Sequence, residues 1–374
     1  MYKQLEYLRE NVTMVRNQTY RIDLPESGLL SGIWMKITGA CVSGATLADP
    51  LWRIQDHVNL VEVIGNGGTV IKSVQFKHLD YFNWLKHKVS PIHAWRNYAT
   101  NNEFEYVPIL FGRKLGDVEY GLDLGRWDNV ELRITNAATA TYYGADFTIS
   151  LLLEYIRESP AGFKGFLRSE TWREWTTVAD ATQYFTLPVE YPISGVYLRA
   201  VPHKTLGIAD TGFANLMDDV VFALEGGVKR VYTGGLDDLA LINYLEDGAE
   251  SFVGGLIDIT ADRGVEVSQG RSLGHAMAIT SKDGAGAAVI ATIESDLTDG
   301  TIKPETREAD NPIEFLFHGY AYQFMGHLWH SETLEPDTLL VPASVGDIKL
   351  NIHTQNAAAA AGGLNQVVLE RIVV

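Results

Sequence analysis

The sequence predicts an all-β chain in which one order of strands occurs twice, each copy carrying a short helix. Three collinear pairs of blocks predict it, offset by 163 residues, by 160 and by about 217. A repeat of this kind sets the unit from which a fold is built, so it is sought first. Within most blocks apolar and polar residues alternate, the period of a strand with one buried face.

The first pair opens with Leu24-Pro25 and Leu187-Pro188, each ending a strand and starting a turn. At the same offset Ser31-Gly32-Ile33-Trp34-Met35-Lys36 meets Ser194-Gly195-Val196-Tyr197-Leu198-Arg199 as a second strand. The next pair matches Val61-Glu62-Val63-Ile64 to Val221-Phe222-Ala223-Leu224. Glycine turns follow in both copies, Gly65-Asn66-Gly67-Gly68 and Gly226-Gly227, then strands at about 69–74 and 229–233. Residues 79–85 and 239–245 close this block with apolar residues at helical spacing, which predicts a helix in each half. The last pair matches Val130-Glu131-Leu132-Arg133-Ile134 to Ile348-Lys349-Leu350-Asn351-Ile352, and Leu153-Glu154-Tyr155-Ile156 to Leu369-Glu370-Arg371-Ile372. Eight or so strands per half are enough to close a jelly roll. The expected architecture is therefore two tandem eight-stranded jelly rolls with a short helix in each roll, at residues 17–157 and 178–374.

The remaining segments are read by difference. The step in offset from 160 to about 217 places roughly 57 extra residues in the second half, at about 247–311. They are rich in Gly and Ala, carry acidic residues such as Asp258, Asp262 and Glu294, and contain alternating pieces at 256–259 and 288–293. An insertion that the first half lacks belongs on a surface. Residues 1–16 place Leu5, Leu8, Val12 and Val15 at the spacing of a short amphipathic helix. The linker 158–177 opens with the turn Ser159-Pro160-Ala161-Gly162, and its Trp172 and Trp175 at i, i+3 predict another short helix.

Composition narrows the function classes. Apolar residues make up 46% and charged residues 21%, the balance of a chain with a packed core. The net charge of −17 opposes attraction to phosphate, so direct nucleic-acid binding is not expected. Cys41 is the single cysteine, so stability must come from packing and assembly rather than an intrachain disulfide. Charges in Met1-Tyr2-Lys3-Gln4-Leu5-Glu6 stand where a signal peptide has its apolar core, and no apolar run reaches a membrane span.

Chemistry-bearing patterns resolve into structural ones. His318, His327 and His330 with Glu332 invite a metal reading, but His at i and i+3 on a strand point to opposite faces. Gly65-Asn66-Gly67-Gly68 lacks the Gly-Lys-Ser/Thr ending of a phosphate loop and reads as a hairpin turn. Asp218-Asp219 and Asp237-Asp238 lack the spacing of a calcium loop and read as solvated pairs. Asn11-Val12-Thr13 and Asn17-Gln18-Thr19 fit the glycosylation pattern by accident, with no secretory signal before them. No catalytic, cofactor-binding or metal-ligating residue is assigned, and the chain is read as a non-enzyme.

Two tandem rolls with a helix late in each form an arrangement with a known counterpart. The paired blocks at Leu24-Pro25 and Leu187-Pro188, the two glycine turns, the two helices, and Val107-Pro108-Ile109-Leu110-Phe111-Gly112-Arg113 before Gly121-Leu122-Asp123 carry the resemblance. The chain resembles, over nearly its whole length, the double jelly-roll major capsid proteins of tailless icosahedral viruses of bacteria and archaea, the lineage that includes adenovirus. The likeness is architectural, since that family has no short catalytic signature. It implies homotrimers with a pseudo-hexagonal footprint, packed against neighbouring capsomers, penton and minor capsid proteins in a virion assembled in the host cytoplasm. It also implies outward towers from insertions, here 247–311, and an internal viral membrane near the base. Two other classes fit a β chain: a β-sandwich glycan-binding or spike protein, and a cupin-like enzyme. The latter needs a His/His/Glu cluster on facing strands, and the histidines here are scattered.

Overall fold

A computed structural model describes residues 1–41, 53–88, 92–94, 96–97, 102–138, 143–159, 162–201, 204–205, 208–209, 213–248, 313–355 and 362–374, with short strand segments between 251 and 304. The first half supplies β1 (Tyr2–Met14), β2 (Gln18–Asp23), β3 (Leu29–Ala40), β4 (Val58–Gly65) and β5 (Thr69–Val74). Helix α1 (Phe76–His87) follows, then β6 (Asn102–Leu110), β7 (Val130–Asn136) and β8 (Phe147–Arg157). The second half supplies β9 (Phe166–Thr176), β10 (Ala181–Thr186), β11 (Ile193–Val201), β12 (Asp219–Leu224) and β13 (Lys229–Gly234). Helix α2 (Leu236–Asp247) follows, then β14 (Met325–His330), β15 (Lys349–Thr354) and β16 (Leu364–Val373).

The sheets repeat strand for strand. In the first half β1-β8-β3-β6 faces β2-β7-β4-β5; in the second β9-β16-β11-β14 faces β10-β15-β12-β13. These are the two sheets of a jelly roll, made twice. Alternation explains each: β7 is buried at every second residue from Val130 to Asn136, and β15 follows the same rule. Asn66 and Gly67 turn the β4–β5 hairpin with positive φ, a conformation open to Asn and Gly at low cost.

The expected registers hold at β3 and β11, where Trp34 lies beside Leu152 and Tyr197 beside Val368. At β4 and β12 the expected match slips by one residue. Pairing sets Val63 beside Leu132 and Phe222 beside Leu350, an offset of 159 rather than 160. A strand displaced by one residue would turn its apolar face to water, so burial rather than letter identity fixes the register.

Two expected helices are strands. Residues 1–16, read as an amphipathic helix, hold β1, which pairs with β8. The linker segment with Trp172 and Trp175 holds β9, which pairs with β16. Bulges explain both errors. The β1 register shifts between Tyr7 and Arg9 and again before Val12, and the β9 register shifts between Thr171 and Arg173. An extra residue returns side chains three apart to one face, which imitates helical spacing. Trp172 and Trp175 thus both pack on Phe185, at 5.7 and 5.2 Å between ring centroids.

The halves join edge to edge. β5 pairs in parallel with β9, Lys72 beside Ser169 and Ser73 beside Glu170, making one eight-stranded sheet across the chain. Each roll has its own core, but that of the first takes in Tyr197, Tyr322, Met325 and Val368 from the second. Within the expected insertion, strand Ser251–Ile257 lies between Ile313–Tyr322 and Arg96–Asn97, and Gln269–Ala276 pairs with Ile313–Tyr322. The parts of 247–311 that would form the top of a tower lie largely outside the described residues.

Candidate functional site: the seam between the two rolls

Among the described residues no three of His, Cys, Asp and Glu gather as metal ligands. The densest polar constellation is instead the seam, where α1 and β5 of the first roll meet the outer face of β9-β16-β11-β14. Helix α1 is buried nearly all round from Phe76 to Leu85, as a helix between two layers must be. Phe82 meets the Tyr197 ring at 4.8 Å between centroids, and Tyr81 meets it at 6.1 Å.

Charges thread this apolar contact. Lys86 Nζ donates to both oxygens of Glu370 at 2.9 Å, with both side chains buried. Lys72 Nζ donates to Ser169 Oγ at 2.8 Å, and Ser169 Oγ donates to Glu370 at 3.0 Å. Burial raises the Glu370 carboxyl, but Lys86 and Lys72 outweigh it and hold the group below its ordinary value. Burial pushes the Lys72 ammonium down to about 7, against the pull of Glu370. The arrangement joins four elements from two rolls, α1 and β5 of the first and β9 and β16 of the second, and buried charges of this kind persist only when each is paired.

A second cluster lies beside it. Asp80 of α1 accepts from the Tyr322 hydroxyl and from Gln323 Nε2, the latter at 2.9 Å. Burial raises Asp80 to about 6 despite these bonds. Gln323 also donates to Gln55 at 2.8 Å, and Arg199 donates to Gln323 O, Gln75 Oε1 and Gln366 Oε1. The turn carrying Gln323 has positive φ at Ala321, Gln323 and Phe324, strain held in place by the partners it reaches.

The histidine pattern resolves differently from its sequence reading. His327 and His330 come together, ring centroids 5.5 Å apart, because a bulge opposite Val196 and Tyr197 returns them to one face. The Tyr197 hydroxyl and His330 Nδ1 lie 3.0 Å apart. Burial lowers His327 to about 4 and His330 to about 3, so both are neutral. Glu332 pairs with Lys88 at 3.4 Å, and the His318 side chain lies outside the described residues. Of the acidic pairs, Asp218 bonds His353 Nδ1 at 2.7 Å. Cys41 is buried, its thiol pushed up by burial and by Glu103. A cavity of about 600 Å³ opens at the seam, lined by Lys86, Lys88, Arg113, His330, Glu332 and Glu370, and Lys86, Lys88 and Arg113 are already ion-paired.

This arrangement fastens two rolls together. It offers no activated nucleophile and no open ligand set among the described residues.

No family model matches the sequence, and no curated protein matches it. Solved structures do. A chain of the atomic structure of Sulfolobus turreted icosahedral virus aligns at TM-score 0.55 and 9% identity, covering 98% of this chain and 90% of that one. The major capsid protein of bacteriophage PM2 aligns at 0.50 and 11%, covering 100% and 98%. A chain of the PBCV-1 virus capsid aligns at 0.52 and 10%, covering 99% and 94%. The chain has the double jelly-roll fold. At these identities a double jelly roll is recognised by strand order and span, not by shared residues. The sequence expectation of that fold stands, and the seam is the place where this double jelly roll holds its two halves together.

Proposed function

We propose that this chain is the major capsid protein of an icosahedral virion and is not an enzyme. The observation that carries the reading is the end-to-end match to capsid chains, each about as long as this one. Two rolls of one strand order in one chain give near-sixfold contacts from a single gene product. The capsomer is a homotrimer with a pseudo-hexagonal footprint, formed in the host cytoplasm. Its partners are neighbouring capsomers, penton and minor capsid proteins and, at the base, an internal membrane. The roll boundaries belong to the proposal too: the first roll takes in β1 and ends near residue 157, and the second begins by β9. The insertion at 247–311 is proposed to face outward as a tower. Size-exclusion chromatography with light scattering tests the assembly. The expected mass is three times the 41.4 kDa of one chain. A stable monomer at micromolar concentration overturns the capsomer reading and favours a β-sandwich glycan-binding protein.

A further inference from the structure

The outer faces of β2-β7-β4-β5 and β10-β15-β12-β13 share one register and differ in chemistry. In the first roll Arg21, Arg133 and Glu62 lie side by side across β2, β7 and β4, with Glu131 two residues before Arg133. Arg133 donates to Glu131 at 3.0 and 2.7 Å, Arg21 stands 3.8 Å from the same carboxylate, and Ser73 donates to Glu62 at 3.4 Å. These charges satisfy one another and close the face. In the second roll the places of Arg21, Arg133, Glu62 and Glu131 hold Tyr184, Asn351, Val221 and Lys349.

The exchange opens a groove of about 300 Å³, lined by Tyr184, Val221, Ala223, Arg230, Lys349 and Asn351. Gly226 and Gly227 of the β12–β13 turn bring backbone to it, with open space where a side chain would stand. The Tyr184 ring is 74% exposed. Among the described residues the Arg230 guanidinium, the Asn351 amide and the Tyr184 hydroxyl have no protein partner. Thr186 Oγ1 accepts from Lys349 Nζ at 2.7 Å and Asp347 lies 3.5 Å from it, while Lys229 takes up Glu225. Arg230 is thus the cation of this groove with no carboxylate beside it, on a chain of net charge −17.

Each group suits one part of a single kind of ligand. An exposed aromatic ring beside small apolar residues is a platform for the C–H face of a sugar ring. A free guanidinium takes a carboxylate through two parallel hydrogen bonds. A side-chain amide and an ammonium serve hydroxyl groups. The volume lies at the small end of ligand sites, the size for one ring and its substituents. We propose that this groove binds a saccharide carrying a carboxylate, with its ring on Tyr184, its acid group on Arg230 and its hydroxyls on Asn351 and Lys349. So open a site holds one sugar weakly, with a Kd on the order of 1 mM. In a shell of many copies, the reading proposed above, avidity multiplies a weak contact. The groove itself lies within one roll and needs no assembly.

The test titrates the full chain with glucuronate, galacturonate and N-acetylneuraminate, read by ligand-observed NMR, with glucose and acetate as controls. At least one acidic sugar should saturate near ~1 mM, and glucose and acetate should bind about 10-fold more weakly or worse. Tyr184→Ala and Arg230→Gln should each weaken the acidic sugar about 10-fold. Val221→Glu, which installs the first roll's residue, should abolish binding, because the new carboxylate pairs with Arg230 and repels the ligand's own. These positions are exposed or half-buried, so the variants should keep the circular dichroism and chromatographic mass of the parent. Acetate binding as tightly as the sugars reduces the groove to an anion contact and overturns the proposal. So does the failure of all three acidic sugars to saturate below about 10 mM. Saturation that Tyr184→Ala and Val221→Glu leave unchanged overturns it too. None of these outcomes alters the mass of the capsomer, so the two readings fail separately.

Discussion

The outer faces of two equivalent sheets share one register and differ in what lies on them. β16 is buried at every position from Asn365 to Ile372, whereas β8 alternates buried and half-buried from Phe147 to Leu152. Their registers are the same, down to a glutamate at equivalent positions, Glu370 in one and Glu154 in the other, each facing a glycine across the strand pair. The helices repeat the contrast. α1 is buried nearly all round, and α2 buries one stripe of Leu236, Leu239, Ala240 and Asn243. Trp84 and Tyr244, at equivalent places on α1 and α2, differ for this reason: Trp84 packs on Tyr322 from the second roll, and Tyr244 is only half-buried. Fold is set within a roll, and burial is set by the neighbour.

The sharpest way to break the comparison is to cut matched side chains. Phe82→Ala should cost about 3–5 kcal/mol, the range for large aromatic truncations in a core. Ile242→Ala, its equivalent, should change the stability of the single chain by about 0.5 kcal/mol or less. Denaturant unfolding of the two variants, each against the parent chain under the same conditions, reads the difference. Equal losses would mean that the seam adds nothing to burial within the roll.

A buried ion pair offers the next test. Lys86→Met leaves Glu370 buried without its main partner and should cost about 3–5 kcal/mol. Lys3, the cation beside Glu154 at 3.6 Å, is half-exposed, so Lys3→Met should cost about 1 kcal/mol or less. A double variant K86M/E370M that recovers most of the loss would show that the pair fixes register more than it stabilises.

How much of this was legible in the sequence follows from what bulges do. The strands with unbroken alternation, such as β7 and β15, could be read directly, and their repeat led to the fold. The two strands read as helices each carry a bulge. Leu8 and Trp172 are the residues skipped in their registers, at equivalent places in the two rolls, and both made a strand look helical. Leu328 is skipped in the same way, so the His327 and His330 rings meet when strict alternation would part them. The repeat therefore extends one strand further toward the N-terminus than the letters suggest, to β1 and β9. The seam itself left no signal, because Lys72, Lys86, Ser169 and Glu370 are ordinary surface residues until two rolls close over them.

Acid should act on the histidines buried where the rolls meet and in β14; His78 of α1 is lowered to about 3 by burial and by Arg199. His327 and His330 have lowered values of about 4 and 3, so their stabilising contribution is complete above about pH 6.5 and is lost as pH falls toward those values. Asp80, raised to about 6, works in the other direction: its contribution is present below about 3.8 and lost as pH rises through 6, so it offsets part of the effect. The net loss between pH 7 and 4 should be on the order of 1–3 kcal/mol. In the first roll Pro108 and Leu110 occupy the places of the two histidines and do not titrate. His330→Leu, which installs the first roll's residue, should flatten the acid limb of stability against pH. An unchanged limb would place the acid sensitivity elsewhere.

The smallest expected effect is a control on the whole comparison, because it should be equal in the two rolls. Gly67 and Gly226 turn equivalent hairpins with φ of +72° and +67°. A methyl group at either would meet open space, so only the backbone conformation resists a side chain. The left-handed region costs an L-residue roughly 1–2 kcal/mol. Gly67→Ala and Gly226→Ala should therefore each lower stability by about 1 kcal/mol, within a few tenths of one another. These positions do not touch the seam. If the two values agree while Phe82 and Ile242 differ severalfold, the rolls are alike in themselves and unlike only in what covers them. If the glycines also differ widely, the two hairpins are not the same structure, and every residue match drawn from their registers must be redrawn.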